Sequence, residues 1–208
     1  MARRNTASEF PMRIGYGWDS HEFKRGVALK LGGVHIRHPR GLAGHSDGDV
    51  LLHALTDALL GAIAAGDIGT FFPPSDPRWK GADSAVFVGE AMRQVRRHGY
   101  VVANVDSTVI LAKPKIIPYA GRMRSRVAEL VGIAASAVGI KAKTPEGMGT
   151  GNAAIAHVVV LLVKKTGKDR LATLEAEVEV PQTEVDRVVD KVLGGMPVSR
   201  PARAPAKK

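Results

Sequence analysis

The clearest helical pattern in the chain falls between Val50 and Leu59. Val50, Leu51, Ala54, Leu55 and Leu59 recur at three- and four-residue spacing and mark one buried face. Ser46 reads as the N-cap, with Asp49 three places on able to reach back in a capping box, so a helix is expected from about Asp47 to Ala65. Ahead of it, Met12 to Tyr16 reads as a short strand, and Val27 to Ile36 alternates around Gly32-Gly33 as a hairpin should. Pro39 to Gly44 is a connector from there into the central helix. Behind the helix, the glycines and prolines of Gly66 to Pro77 predict a long irregular loop of the kind that serves as a lid. Asp83 or Ser84 then caps a second helix through His98, closed by Gly99. Tyr100 to Ala112 holds a strand from Val105 to Leu111. A third helix is expected from Pro118 to Val131, stopped by Gly132, and another strand from Val138 to Lys143. Ala156 to Val163 is almost wholly apolar, which predicts a strand buried on both faces.

The pattern breaks at both ends. Residues 1–11 read as a disordered leader and 12–165 as the folded domain. The stretch 166–208 reads as an extension, with a helix at 183–193 capped by Thr183, then a basic Pro/Ala tail.

A hydrophobic content of 45% over 208 residues supports a real core. Without cysteine there is neither a disulfide nor a thiolate metal site, and the chain fits a reducing cytoplasm. No apolar run approaches the roughly 20 residues of a membrane span, and Met1 to Phe10 lacks the apolar stretch of a secretory signal. The net charge of +10 admits nucleic acid, a polyanionic small substrate, or a basic background. The bases are scattered and few aromatics lie beside them, which argues against nucleic acid as the main partner.

Candidate chemistry gathers at the start of the central helix. Asp49, His53 and Asp57 are four apart and stack on one side of it. An imidazole between carboxylates makes a good metal ligand, because a carboxylate fixes its tautomer and raises its basicity. In Gly15-Tyr-Gly-Trp-Asp-Ser-His21, Asp19 and His21 are two apart and point the same way from an extended segment. Together with His53 they form a His/His/carboxylate set suited to zinc with one position open. The same residues also read as a helix cap, a salt-linked histidine and a glycine-rich turn. His45 precedes the first turn, where free N–H groups attract phosphate. In the long loop, Asp67, Asp76 and Lys80 are the chemically useful residues; equally, Asp67 reads as the end of the helix and Asp76-Pro77 as the start of a turn. Lys113-Pro114-Lys115 stands at a strand-to-helix junction, and Thr144 to Gly151 is glycine-rich backbone after a strand, suited to a diphosphate, with Glu146 able to hold a hard cation.

From Met12 to about Lys165 the chain resembles the 2-C-methyl-D-erythritol 2,4-cyclodiphosphate synthases of the non-mevalonate isoprenoid pathway. The motifs are Arg13 to His21, Gly41 to Gly61, Gly66-Asp-Ile-Gly69, Lys80-Gly-Ala-Asp-Ser84, Asn104-Val-Asp106, Pro114-Lys115, Lys141-Ala142, Thr144 and Glu146, in family order. The resemblance implies an α+β fold: a four-stranded mixed β-sheet with helices packed on one face, in a homotrimer whose active sites lie at subunit interfaces. It implies zinc, or another divalent transition metal, on Asp19, His21 and His53, and magnesium or manganese on Glu146. His45 and Thr144 would be catalytic. Substrate contacts would come from Asp19, His21, His45, Ser46, Asp67, Ile68, Gly69, Asp76, Lys80, Lys115, Thr144 and Glu146, with the cytidine pocket around Leu111 to Ile117. The implied reaction is attack of the 2-phosphate of 4-diphosphocytidyl-2-C-methyl-D-erythritol 2-phosphate on its own β-phosphate, releasing CMP. Other pathway enzymes are candidate partners.

Two departures stand out. Lys143-Thr144-Pro145 replaces the family's run of threonines. The family turn Phe-Thr-Gly-Arg-Gly-Glu-Gly is shortened to Thr150 to Ala154, without the arginine and glutamate that line the trimer channel in many members. The alternative to an enzyme is a non-catalytic binding or scaffold homologue whose basic tail recruits partners. A scaffold has no need of the intact ligand set.

Overall fold

A computed structural model describes residues 11–165. The expected helix at 183–193 and the basic tail lie outside them, as does the leader up to residue 10.

Among the described residues, seven strands and four α-helices follow in the order β1 (Met12–Arg25), β2 (Leu29–Leu31), β3 (Val34–Ile36), β4 (Arg40–Leu42), α1 (Val50–Ala62), α2 (Ile68–Phe71), α3 (Ser84–Arg97), β5 (Tyr100–Leu111), α4 (Ala120–Val131), β6 (Val138–Lys143) and β7 (Ala153–Lys164). The main sheet runs β4-β1-β7-β5-β6. It is mixed: β5 and β6 are parallel and joined through α4, while the other pairs are antiparallel. It therefore has five strands and not four. The added strand is β4, three residues within the expected connector, paired to the far end of β1 at Phe23 to Arg25. Such a short edge strand has no readable period. β1 is likewise longer than expected, because its second half alternates polar and buried residues without a hydrophobic run.

Helix α1 lies across β1 and β7 on one face of the sheet, with α3 packed beside it. Its residues Val50, Leu52, Ala54, Leu55, Ala58, Leu59 and Leu60 are fully buried. The β2–β3 hairpin turns through Gly32-Gly33 at φ +58° and +72°, the pair of positive values that a type I′ turn demands.

The cap of α1 differs from expectation. The helix begins at Val50, and Asp49, not Ser46, is its N-cap, accepting from Leu52 N–H at 3.1 Å. The Asp49 carboxylate also accepts from Gly32 N–H at 2.8 Å and Gly33 N–H at 2.6 Å, so one fully buried side chain ties the hairpin turn to the helix start. Asp49→Ala leaves these donors without a partner. A loss of about 3 kcal/mol is expected from the missing cap and the unsatisfied N–H groups, measurable as a lowered urea midpoint.

The last strand also departs from expectation. In β7, Ala154, Ala156, Val158, Val160 and Leu162 are buried beneath the helices, but Val159 on the opposite face is 41% exposed. Beside it on β1, Ile14 is 72% exposed, and Met12, Tyr16 and Trp18 are also exposed. The sheet is apolar on both faces, and one of them is open. Among the described residues, no helix is long and apolar enough to cross a membrane.

Candidate active site

Gly15 and Gly17 let α1 press directly on β1, and that contact builds the site. Asp19 and His21 follow on the same, helix-facing side of β1, and His53 projects from the first turn of α1. Asp19 Oδ2 lies 3.0 Å from His21 Nε2 and 2.9 Å from His53 Nδ1, and the two ring nitrogens are 3.0 Å apart. A carboxylate only accepts, and each ring nitrogen either donates or accepts. With two roles shared among three atoms in mutual contact, at least one pair must face like to like. A divalent cation among them would satisfy all three, and the donor set fits zinc or a related transition metal. Among the described residues this is the one group of acidic and histidine side chains arranged to hold a metal. With no cation between them and the rings protonated toward the carboxylate, burial works to raise the Asp19 pKa, but hydrogen bonds and charge from His21 and His53 outweigh it and hold the carboxyl well below the usual range.

The carboxylates stacked with His53 in the sequence pattern do other work. Asp49 turns back to the hairpin. Asp57 accepts from Ile68 N–H at 2.7 Å and anchors α2. The carboxylate that meets His53 comes from β1 instead.

The Gly66 to Pro77 segment is less irregular than expected. Asp67 caps α2 by accepting from Thr70 N–H at 2.8 Å, and Ile68 and Gly69 form the first turn. Asp76 caps a short 3₁₀ turn at Pro77–Trp79 and pairs with Arg78. A cavity of about 380 Å³ is lined by His45, Asp76, Lys80 and the intervening prolines, with His45 and Lys80 exposed. Ser46, next to His45, touches His53 Nε2 through its hydroxyl at 2.8 Å. The Phe87 ring packs on His53 at 5.8 Å and meets Phe72 and Trp79, so an aromatic wall stands behind the imidazole.

A second cavity, of about 460 Å³, is lined by Leu111, Pro114, Lys115, Ile116, Thr144 and Glu146 among others. Thr144 Oγ1 donates to the Glu146 carboxylate. Glu146 adopts φ +44°, an uncommon conformation for a side-chain-bearing residue that collects at ligand-binding turns. The two cavities share no lining residue. Within one chain, the sequence-derived site residues thus fall into two groups. His45, Asp76 and Lys80 share one cavity, close in the chain to the metal cluster, while Lys115, Thr144 and Glu146 share the other.

Sequence reasoning gave no role to Lys30 and Asp47, and read Ser84 only as a cap. Asp47 stood inside the central motif, which was the available signal. Lys30 lies on β2 and carried none.

The YgbB family model matches residues 12–163. The chain belongs to the YgbB family. It is 61% identical over 154 residues to the 2-C-methyl-D-erythritol 2,4-cyclodiphosphate synthase of Koribacter versatilis, covering 74% of this chain and 99% of that one. Among solved structures, a 2C-methyl-D-erythritol-2,4-cyclodiphosphate synthase in a form with CDP bound matches with a TM-score of 0.69 and 43% identity, over 72% of this chain and 99% of the other. The Plasmodium falciparum IspF CDP complex matches with a TM-score of 0.66 and 32% identity, over 76% and 100%. The mixed sheet with helices on one face is thus the YgbB fold, and the resemblance seen in the motifs holds through the whole domain.

Proposed function

We infer that this YgbB chain is a 2-C-methyl-D-erythritol 2,4-cyclodiphosphate synthase, a lyase of isoprenoid biosynthesis. The observation that carries the inference is the triangle of Asp19, His21 and His53, with His45 exposed next in the chain to Ser46, which touches His53. The substrate is 4-diphosphocytidyl-2-C-methyl-D-erythritol 2-phosphate. An oxygen of its 2-phosphate forms a bond to the β-phosphorus, the bond from that phosphorus to the bridging oxygen breaks, and CMP leaves with the electron pair. The nucleophile is already anionic, so the chain need supply no general base. The obstacle is two anionic phosphates held in line, and positioning of this kind is worth roughly 7–11 kcal/mol.

Lys80 and His45 supply cationic and hydrogen-bonding groups to the cavity they share. Ser46 stands next to His45 in the chain, its hydroxyl turned inward to His53. Asp67, with Ile68 and Gly69, suits the erythritol hydroxyls. The cavity around Lys115 and Ile116 suits the cytidine, and Thr144 the diphosphate. Zinc on Asp19, His21 and His53 would act as a Lewis acid, with magnesium or manganese on Glu146 balancing diphosphate charge. Both CDP-bound relatives support a cytidine nucleotide as ligand.

The separation of the two cavities within one chain supports a homotrimer in which each active site draws on two copies. The open apolar sheet face at Ile14, Tyr16, Trp18 and Val159 is the surface that such an assembly would bury. Val159→Asp puts a charge on that face. The expected outcome is a shift from trimer to monomer by light scattering after gel filtration, with far-UV circular dichroism unchanged. A variant that stays trimeric would remove this face from the interface.

Phosphorus NMR tests the reaction itself. With the diphosphocytidyl substrate, zinc and magnesium, stoichiometric CMP and a cyclic diphosphate are expected. Intact substrate beside folded, metal-loaded protein would overturn the enzymatic reading and favour a scaffold.

A further inference from the structure

We propose that Asp47, Ser84 and Lys30 are positioning residues for the metal ligand His53, acting through a one-way hydrogen-bond relay that keeps the Nδ1 lone pair aimed at Asp19 and His21. The proposal rests on the metal reading of the site and extends it to residues that touch neither metal nor substrate.

The relay is read from its far end. Asp47 is a carboxylate, so it can only accept. Ser84, fully buried, donates its hydroxyl to Asp47 Oδ1, and its backbone N–H reaches Oδ2 at 3.2 Å. Having spent its proton, the Ser84 oxygen accepts from Ser46 Oγ, 3.4 Å away. The Ser46 oxygen in turn receives Gly48 N–H at 3.4 Å, which leaves its remaining lone pair for His53 Nε2 at 2.8 Å. Nε2 must then carry the proton. In a neutral imidazole that leaves Nδ1 unprotonated and facing Asp19 Oδ2 and His21 Nε2. Reversing the Ser46–His53 link would set the Ser46 and Ser84 oxygens lone pair to lone pair and would move the imidazole proton to Nδ1, against the cluster of Asp19 and His21.

Lys30 keeps the terminus anionic. Its ammonium lies 2.8 Å from Asp47 Oδ2 and 2.7 Å from Asp83 Oδ2, with its own side chain only 11% exposed. Burial works against both charges, but their pairing prevails: Lys30 is pushed up and Asp47 down from their ordinary pKa values. The same cluster fixes the loops that carry the relay. Gly81 N–H donates to His45 O at 2.7 Å and Asp47 N–H to Ala82 O at 3.0 Å, so the root of the 73–80 loop is zipped to the segment bearing His45 and Ser46. A group that orients a metal-bound imidazole from outside the ligand shell is typically worth about 10–100-fold in affinity.

The test uses the full chain. Zinc affinity is measured by chelator competition for the wild type, Ser84→Ala, Asp47→Asn, Lys30→Met and Lys30→Arg. The cobalt-loaded proteins supply visible spectra, and ¹⁵N NMR of the zinc-loaded wild type identifies the ligating nitrogen of His53. Expected are zinc on Nδ1 in the wild type and an affinity lowered about 10–100-fold in the first three variants, with altered cobalt spectra. Lys30→Arg should restore wild-type affinity. Zinc on Nε2 would overturn the relay without recourse to any variant. So would folded Ser84→Ala and Asp47→Asn proteins with wild-type affinity and spectra, even if their melting temperatures fell. A wild type that turns over substrate yet binds no zinc would instead sink the metal reading, and the relay with it.

Discussion

His53→Ala is expected to strip zinc from the protein and to lower turnover by on the order of 10³-fold or more, the scale of several kcal/mol of Lewis-acid stabilisation. The remaining pair, Asp19 and His21, comes from a single strand and offers two donors, one fewer than a catalytic zinc site normally holds. His53 also buries its ring against Phe87 and receives the Ser46 contact, so alanine removes packing as well as a ligand. That secondary loss should be modest, because the ring is a rim residue of the core and α1 keeps its Val50, Leu52 and Leu55 contacts. Metal analysis by mass spectrometry, steady-state turnover and a urea melt separate the effects. Zinc near wild-type content with near-normal turnover would remove His53 from the site. A collapse of the urea midpoint without selective zinc loss would recast it as a structural residue.

What could be read from the sequence follows a physical divide. Asp19, His21 and His53 were accessible because two-residue spacing on a strand is a local property, and the third residue of the set sat in a strongly patterned helix. The partner of His53 was misread for the same reason. Helical spacing aligned it with Asp49 and Asp57, but Asp49 lies before the helix, with φ −73° and ψ 89°, and turns toward Gly32 and Gly33. Which carboxylate reaches the imidazole is a question of how β1 meets α1, and no local pattern encodes that. The β4 strand escaped notice because three residues carry no period. The run in β7 was correctly seen as apolar on both sides, yet burial of both faces does not follow within one chain. Ile155, Val159 and Leu161 face away from α1, on the side that the proposed trimer would cover. The Lys30 cluster was beyond reach, since it joins β2, the motif loop and the start of α3.

The contact that decides the site is made by two residues whose function is to have no side chain, and Gly17→Ala is the sharper test of it. A Cβ built on Gly17 would stand 2.1 Å from Ala54 O and 2.6 Å from Ala58 N, and one on Gly15 would stand 1.8 Å from Ala58 O. These are backbone atoms of α1 and cannot rotate away as a side chain could. To admit the methyl group the helix must lift from β1 along its length, opening contacts around Ala54, Ala58 and Ala62 that are fully or almost fully buried. Overpacking a core ordinarily costs about 1–3 kcal/mol, occasionally more, and a clash against backbone belongs at the upper end or beyond. A loss of about 4 kcal/mol is a large share of the roughly 5–15 kcal/mol that holds a domain folded. Gly17→Ala should therefore be largely insoluble, or melt far below the wild type. Whatever folds should bind zinc poorly, because lifting α1 moves His53, the neighbour of Ala54, away from Asp19, two residues beyond Gly17. Thermal melts with zinc titration distinguish the outcomes. Wild-type stability would show that α1 does not rest on β1 at Gly17. Lost stability with unchanged zinc affinity would mean that the spacing of α1 and β1 does not set the metal site.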